Sequence, residues 1–309
     1  TLGKVIPRGF PQVFDFSDLK IDSARSGRLQ LAEWITDPAN PLTPRVLANR
    51  VWHHLFGRGI VRTVDNFGQT GERPSNQPLL DHLAVRLLEN EWSVKKLIRE
   101  VVLSRAYRMS SVHDLANARI DPDNALFWKM NQRRLDAESM RDAMLSVSGH
   151  LILSPADGSP VQKIDGNIGR DPEQLEELRK AQLDNRSLYL PVARQAIPEV
   201  LKTFDFAEPS IIVGRRDVTT VPTQALFLLN SDFVITQARG LAERLSSMDE
   251  DSRIDHAFRL LFARPPSSSE MARTQTFLAD CLHNEESAIE AWTTVCQALL
   301  ASAEFRYLN

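Results

Sequence analysis

The chain is punctuated for helices almost from end to end and offers only one stretch that reads well as a strand. Residues 27–37 (GRLQLAEWITD) carry helical spacing and stop at Pro38. Thr43 caps a second helix, with Pro44 at its first position and Gly57 at its end. Helical spacing returns over 76–90, over 93–107 behind a Ser93 cap, over a short helix running from Asp121 or Asp123 to Met130, and over 135–153. From Pro222 it resumes near 222–230, 232–246, 252–262, 268–283 and 286–303, and Ser267 with Glu270 makes a capping box. The strand candidate is SLYLPVA (187–193), with RRDVTTV (215–221) as its partner. Two short strands cannot build a sheet core. The expected fold is therefore all-α, a multi-helix orthogonal or bundle-like domain with at most a small β-hairpin.

Between these helices, residues 154–186 change character. They are rich in Gly, Pro and Asp, with Asp-Gly turn signals at 157–158 and 165–166, and PEQLEELRKAQLD reads as a surface helix inside an insertion. An internal duplication is also expected. VWHHLFGR (51–58) aligns with AFRLLFAR (257–264), and LSRAYR (103–108) with ASAEFR (301–306). Trp92 and Trp292 stand between the two matches. Chance likeness between Ala-, Leu- and Arg-rich helices is the competing explanation, but ordered agreement at three places is harder to reach by chance. The resulting division is an irregular lead-in over 1–26, a first helical unit over 27–109, a central segment over 110–250, and a second unit over 251–309 packed on the first.

The 309 residues, 42% hydrophobic and 25% charged, have the balance of a soluble globular protein of one large or two modest domains. The net charge of −3 argues against a nucleic-acid partner, and no apolar run reaches the roughly 18 residues of a membrane span. The opening TLGKVIPRGFPQVFDF has neither the basic start nor the apolar centre of a signal peptide and reads as the interior of a longer protein. Cys281 and Cys296 do not make a Cys-x-x-Cys motif; buried free thiols and, in an exported chain, a disulfide are both open. Most of the basic residues are Arg, which suits carboxylate, sulfate or phosphate; codon usage explains the same bias.

His53 and His54 cannot hold one metal from a regular helix, because neighbours point about 100° apart. No His-x-x-x-His spacing occurs, and no metal or cofactor is assigned. On a helical wheel Leu47, Ala48, Val51, Trp52, Leu55 and Phe56 form the apolar face. His53 and Asn49 then fall opposite, and His54 falls at the stripe's edge after Arg50. An edge histidine either ties the helix to a neighbour or moves a proton. Glu138 and Asp142 lie four apart on one helix face, fit for acid and base roles or for ion pairs, with Arg134 placed to pair with Glu138. Arg215, Arg216 and Gln224 border a helix start that can hold an anion. Asn49, Arg50, His54, Arg141 and Arg216 are expected to join one polar network.

These stretches, in order from Gly27 to the end, resemble one family. The matching segments include GRLQLAEWITDPANPLTPRVLANRVWHHLFGRGIVRT, FGQTGERPSNQPLLDHLA, RRLDAESMRDAML and RRDVTTVPTQALFLLNSDFV. The family is the PSD-type C-terminal domain of unknown function found in planctomycete cytochrome-c-like surface proteins. Its Asn-Arg-x-Trp-x-His-x-Phe-Gly pattern falls on Asn49, Arg50, Trp52, His54, Phe56 and Gly57. The resemblance implies export to the periplasm or cell surface and an upstream haem-binding segment as a partner; it supplies no reaction. Two functions follow as expectations. One is a binding or scaffold module. The other is an enzyme on anionic polysaccharide, sulfated or not, using His54 and Glu138 or Asp142 as acid and base.

Overall fold

The computed structural model describes residues 24–155, 183–190, 197–284 and 287–308, together with residues 3, 8–11, 14, 21, 158, 173 and 192. Among them the regular structure is helical, apart from one two-stranded antiparallel sheet and an isolated parallel bridge between Ile152 and Asn185. It divides into two compact units, the first up to Asn131 and the second from Gln132 to Leu308.

The first unit contains α1 (Arg28–Thr36), α2 (Thr43–Phe56), α3 (Gln77–Glu89), α4 (Val94–Leu103) and α5 (Leu115–Ile120). Asn40 starts α2: its Oδ1 accepts from the Leu42 and Thr43 amides, while its Nδ2 donates to the Trp34 carbonyl. Asn76 and Ser93 cap α3 and α4 through side-chain oxygens. α2, α3 and α4 pack together around Phe56, Leu80, Leu87 and Leu97. Trp52 stacks on Phe56 at 4.0 Å between ring centroids, and Phe127 meets both rings edge-on. The buried Trp52 Nε1 has no hydrogen-bond partner among the described residues.

The second unit opens with β1 (Arg133–Arg134) and α6 (Ala137–Ser148). After a 3-10 turn at Ser187–Tyr189 come α7 (Glu199–Thr203), α8 (Pro222–Asn230), α9 (Asp232–Ser246), α10 (Glu250–Phe262), α11 (Ser268–His283), α12 (Ala288–Ala301), α13 (Ala303–Arg306) and β2 (Tyr307–Leu308). α9 is central: it packs on α6, α12, α8 and α10 through Val234, Ala238, Leu241 and Leu245. β1 pairs with β2, Arg133 opposite Leu308 and Arg134 opposite Tyr307. Arg264 fastens the helix ends, with paired bonds to Glu270 and to Glu304.

The expected strands are not formed. Ser187–Tyr189 is a 3-10 turn, and 215–221 is irregular because Thr219 spends its amide on Asp205. The sheet arises instead where the chain's last residues reach 133–134, a contact between segments too short to show a period. No helix forms over 121–130; Asp121 accepts there from the Ala125 and Leu126 amides and closes turns, and a short helix lies before it at Leu115–Ile120. The expected helix over 172–184 lies outside the described residues except for Glu173, Leu183 and Asp184. Both cysteines are buried, and burial pushes the Cys296 thiol up to about 12.

Candidate functional site

In the first unit the Asn-Arg-x-Trp-x-His-x-Phe-Gly residues split into two groups. Asn49 is fully buried: its Nδ2 donates to the Val61 carbonyl at 3.0 Å, and its Oδ1 accepts from the Val61 amide at 2.8 Å. The loop after α2 is thereby clamped against the helix. Gly57 ends α2 with φ 76°, and its amide donates to the His53 carbonyl. Gly59 lies so close to the clamp that a Cβ would sit 2.4 Å from the Val61 carbonyl oxygen. With Trp52 and Phe56 in the core, Asn49, Gly57 and Gly59 are structural.

Arg50 and His54 form the second group. They are four apart and both exposed, and Arg50 pairs with Asp65 at 2.8 Å. The wheel reading is corrected here. His54 is the exposed histidine and His53 is half-buried, the reverse of the expectation. The loop carrying Val61 covers Asn49, so the buried arc of α2 runs from Val51 through Ala48, Trp52 and Phe56 round to Asn49. At 100° per residue that arc places His53 at its edge and leaves Arg50 and His54 facing outward. The two imidazoles meet edge to face at 5.4 Å.

In the second unit the expected carboxylates are both engaged. Glu138 forms a double bond pattern with Arg216, at 2.5 and 2.8 Å, and the Arg216 guanidinium also lies 5.0 Å from the Phe206 ring centroid. The Glu138 bonds push the Arg216 guanidinium above its ordinary value. Asp142 accepts from the Ser187 amide and hydroxyl, each at 2.7 Å. Arg141 is buried, donates to the Asn185 and Leu183 carbonyls and to Ser187 Oγ, and is pulled below its ordinary value by that burial. Ser187 Oγ also reaches the Glu138 carbonyl, so one network holds Arg216, Glu138, Ser187, Asp142 and Arg141.

A second polar cluster lies beside it. Arg134 does not pair with Glu138; it donates to Asp205 at 2.6 Å and to the Thr219 carbonyl at 2.5 Å. Burial pushes the Asp205 carboxyl up, but bonds from the Thr219 amide, Arg134 and the Thr219 hydroxyl outweigh it and hold the group low. Gln224, also buried, donates to the Thr203 carbonyl and to Thr219 Oγ1. Arg215 is exposed and has no ion pair among the described residues. Asp205 and Ser187 escaped the sequence reading because each acts through a partner 45 to 71 positions away. The bonds of Asn49 and Arg50 are made to Val61 and Asp65, and those of Arg141 and Arg216 to residues of the second unit. Among the described residues, then, these bonds of Asn49 and Arg50 stay within the first unit and those of Arg141 and Arg216 within the second.

The family model described as PSD1, protein of unknown function (DUF1553), matches residues 27–278. The chain belongs to this family of uncharacterised proteins, most of its length lying inside the match. No curated protein and no solved structure matches it.

Proposed function

We infer that the chain is a binding or scaffold module of an exported multidomain protein. Export rests on the family resemblance. The binding reading rests on one observation: Glu138 and Asp142, the carboxylates best placed for acid and base work, are spent on Arg216 and Ser187. A general acid or base must be within reach of a substrate proton. Glu138 reaches one only by giving up two charge-assisted bonds. Arg50 and His54 are family-pattern residues exposed on one helix face, where a partner can reach them, with Arg50 paired to Asp65.

The test is to incubate the full chain with sulfated and carboxylated polysaccharides and ester substrates, following product formation and equilibrium binding in parallel. Saturable binding without turnover is expected. Turnover that disappears in His54→Ala or Glu138→Gln would establish the enzyme reading instead.

A further inference from the structure

The outer face of α4 is a concentrated run of cations in a chain whose net charge is −3. Lys95, Lys96 and Arg99 are all exposed, and none has an ion-pair partner among the described residues. Lys95 and Arg99 are four apart and Lys96 and Arg99 three apart, so their Cβ atoms lie about 5–6 Å from one another. Arg105 and Arg108 continue the run in the turn after the helix, both exposed. From Lys95 to Arg108 the single acidic residue is Glu100. It accepts from Arg86 and Asn90, and the Arg86 bond holds it below the usual carboxylate range. Uncompensated charge of this kind raises the local concentration of anions.

We propose that this face of α4 binds a linear anionic polysaccharide, an assignment that rests on the binding-module reading above. Its shape favours a linear chain. The cations are spread along a helix of ten residues, about 15 Å, rather than gathered into a pocket. The helix N-terminus offers no cradle for a compact anion, because Ser93 Oγ already accepts from the Lys96 amide. A lipid surface suits it less. An interfacial helix needs a broad apolar face, and α4 turns Leu97 and Val101 into the core and leaves only Ile98 and Leu103 exposed, too few for such a face. Nucleic acid suits it less too: the net charge is negative, and single strands call for aromatic stacking platforms, which Lys95–Arg99 do not include.

The experiment uses the full chain and four probes: heparin, hyaluronate, a short DNA duplex and phosphatidylglycerol vesicles. Heparin or hyaluronate is expected to bind tighter than the duplex or the vesicles. The triple variant Lys95→Gln, Lys96→Gln, Arg99→Gln should weaken that binding tenfold or more. It should also lower the slope of log affinity against log salt by about 2–3, roughly one per lost contact. A charge-matched control in the second unit, Lys202→Gln, Arg239→Gln, Arg273→Gln, should change affinity less than twofold. The charge-keeping pair Lys95→Arg, Lys96→Arg should bind like the parent, which separates lost charge from lost folding. The proposal is overturned by unchanged binding in the triple variant, by an equal loss in the control, by tighter binding of duplex or vesicles, or by no polysaccharide binding at all. Cleavage of the bound polysaccharide would sink the binding-module reading while leaving the α4 surface in place.

Discussion

Asn49 and Val61 exchange two hydrogen bonds, side-chain amide to backbone carbonyl and backbone amide to side-chain carbonyl, at 3.0 and 2.8 Å. The side chain thus stands in for a strand neighbour inside a helical unit. Removing it leaves both backbone groups of Val61 buried and unpaired. Asn49→Ala should cost about 2–4 kcal/mol, the sum of two unsatisfied groups. Asn49→Asp should be no better, because it turns a carboxylate toward the Val61 carbonyl. Denaturant unfolding of the full chain checks this; a loss below about 1 kcal/mol would show that the clamp is not needed.

Gly59 is coupled to the same clamp. A Cβ there would sit 2.4 Å from the Val61 oxygen and 3.0 Å from Asn49 Nδ2. Gly59→Ala should destabilise by about 1–3 kcal/mol, as overpacking does. In the double variant with Asn49→Ala the loop is already released and can move away from the new methyl. The two losses should therefore sum to more than the double loss by at least about 0.5 kcal/mol. Strict additivity in a double-mutant cycle would contradict this.

This pair also marks where the sequence stops being legible. Caps are local chemistry, so Ser93, Ser267 and the left-handed Gly57 could be read one residue at a time. Ser104 and Ser302, which the duplication alignment pairs, both end their helices near φ −66° and ψ 156°. Each also accepts from the amide three residues on, Tyr107 and Phe305, through its hydroxyl. The order helix, loop, helix, helix recurs in the two segments aligned for a duplication, the first ending in a turn and the second in the short helix α13. Asn49 was misread because a wheel sees only the helix, whereas its burial comes from a loop 12 residues further on. The polar network at α6 was half legible: the spacing of Glu138 and Asp142 placed them on one face, but nothing nearby announces Arg216 or Ser187 as their partners.

Glu138 and Arg216 should act as one unit. Their geometry is bidentate, but both side chains are partly exposed, at 26% and 35%. A cycle of Glu138→Ala and Arg216→Ala should give a coupling of about 1 kcal/mol, the upper end for accessible pairs. The signal to follow is near-ultraviolet circular dichroism during unfolding. A coupling near zero would mean that the pair is incidental.

Acid should weaken the second unit through Glu270. Arg264 donates to it twice, and the Ser267 amide and hydroxyl add two more bonds. The Arg264 bonds lead in holding this carboxyl far below the ordinary glutamate value of 4.5. A folded-state value below the unfolded one means the unfolded chain binds the proton more readily. The contribution to stability is then complete above about pH 4.5 and shrinks as pH falls toward the folded value. Glu270→Gln cannot titrate. Its unfolding midpoint should therefore start lower than the parent's near about pH 6 and fall less steeply below about pH 4.5. Parallel curves for the two proteins would refute the assignment.

Cys296 should be inert until the protein unfolds. It is fully buried in the packing around α9 and α12, and desolvation pushes its thiol up to about 12. At about pH 8 such a thiol is ionised in roughly one molecule in ten thousand, against about one in four for an ordinary thiol near 8.5. Burial also blocks the reagent's approach. Alkylation with iodoacetamide, read out by peptide mass spectrometry so that Cys281 is scored separately, should label Cys296 at least about a hundredfold faster in urea than in buffer. Fast labelling of Cys296 in buffer would mean that α12 opens readily, and that the packing against α9 does not hold the unit shut.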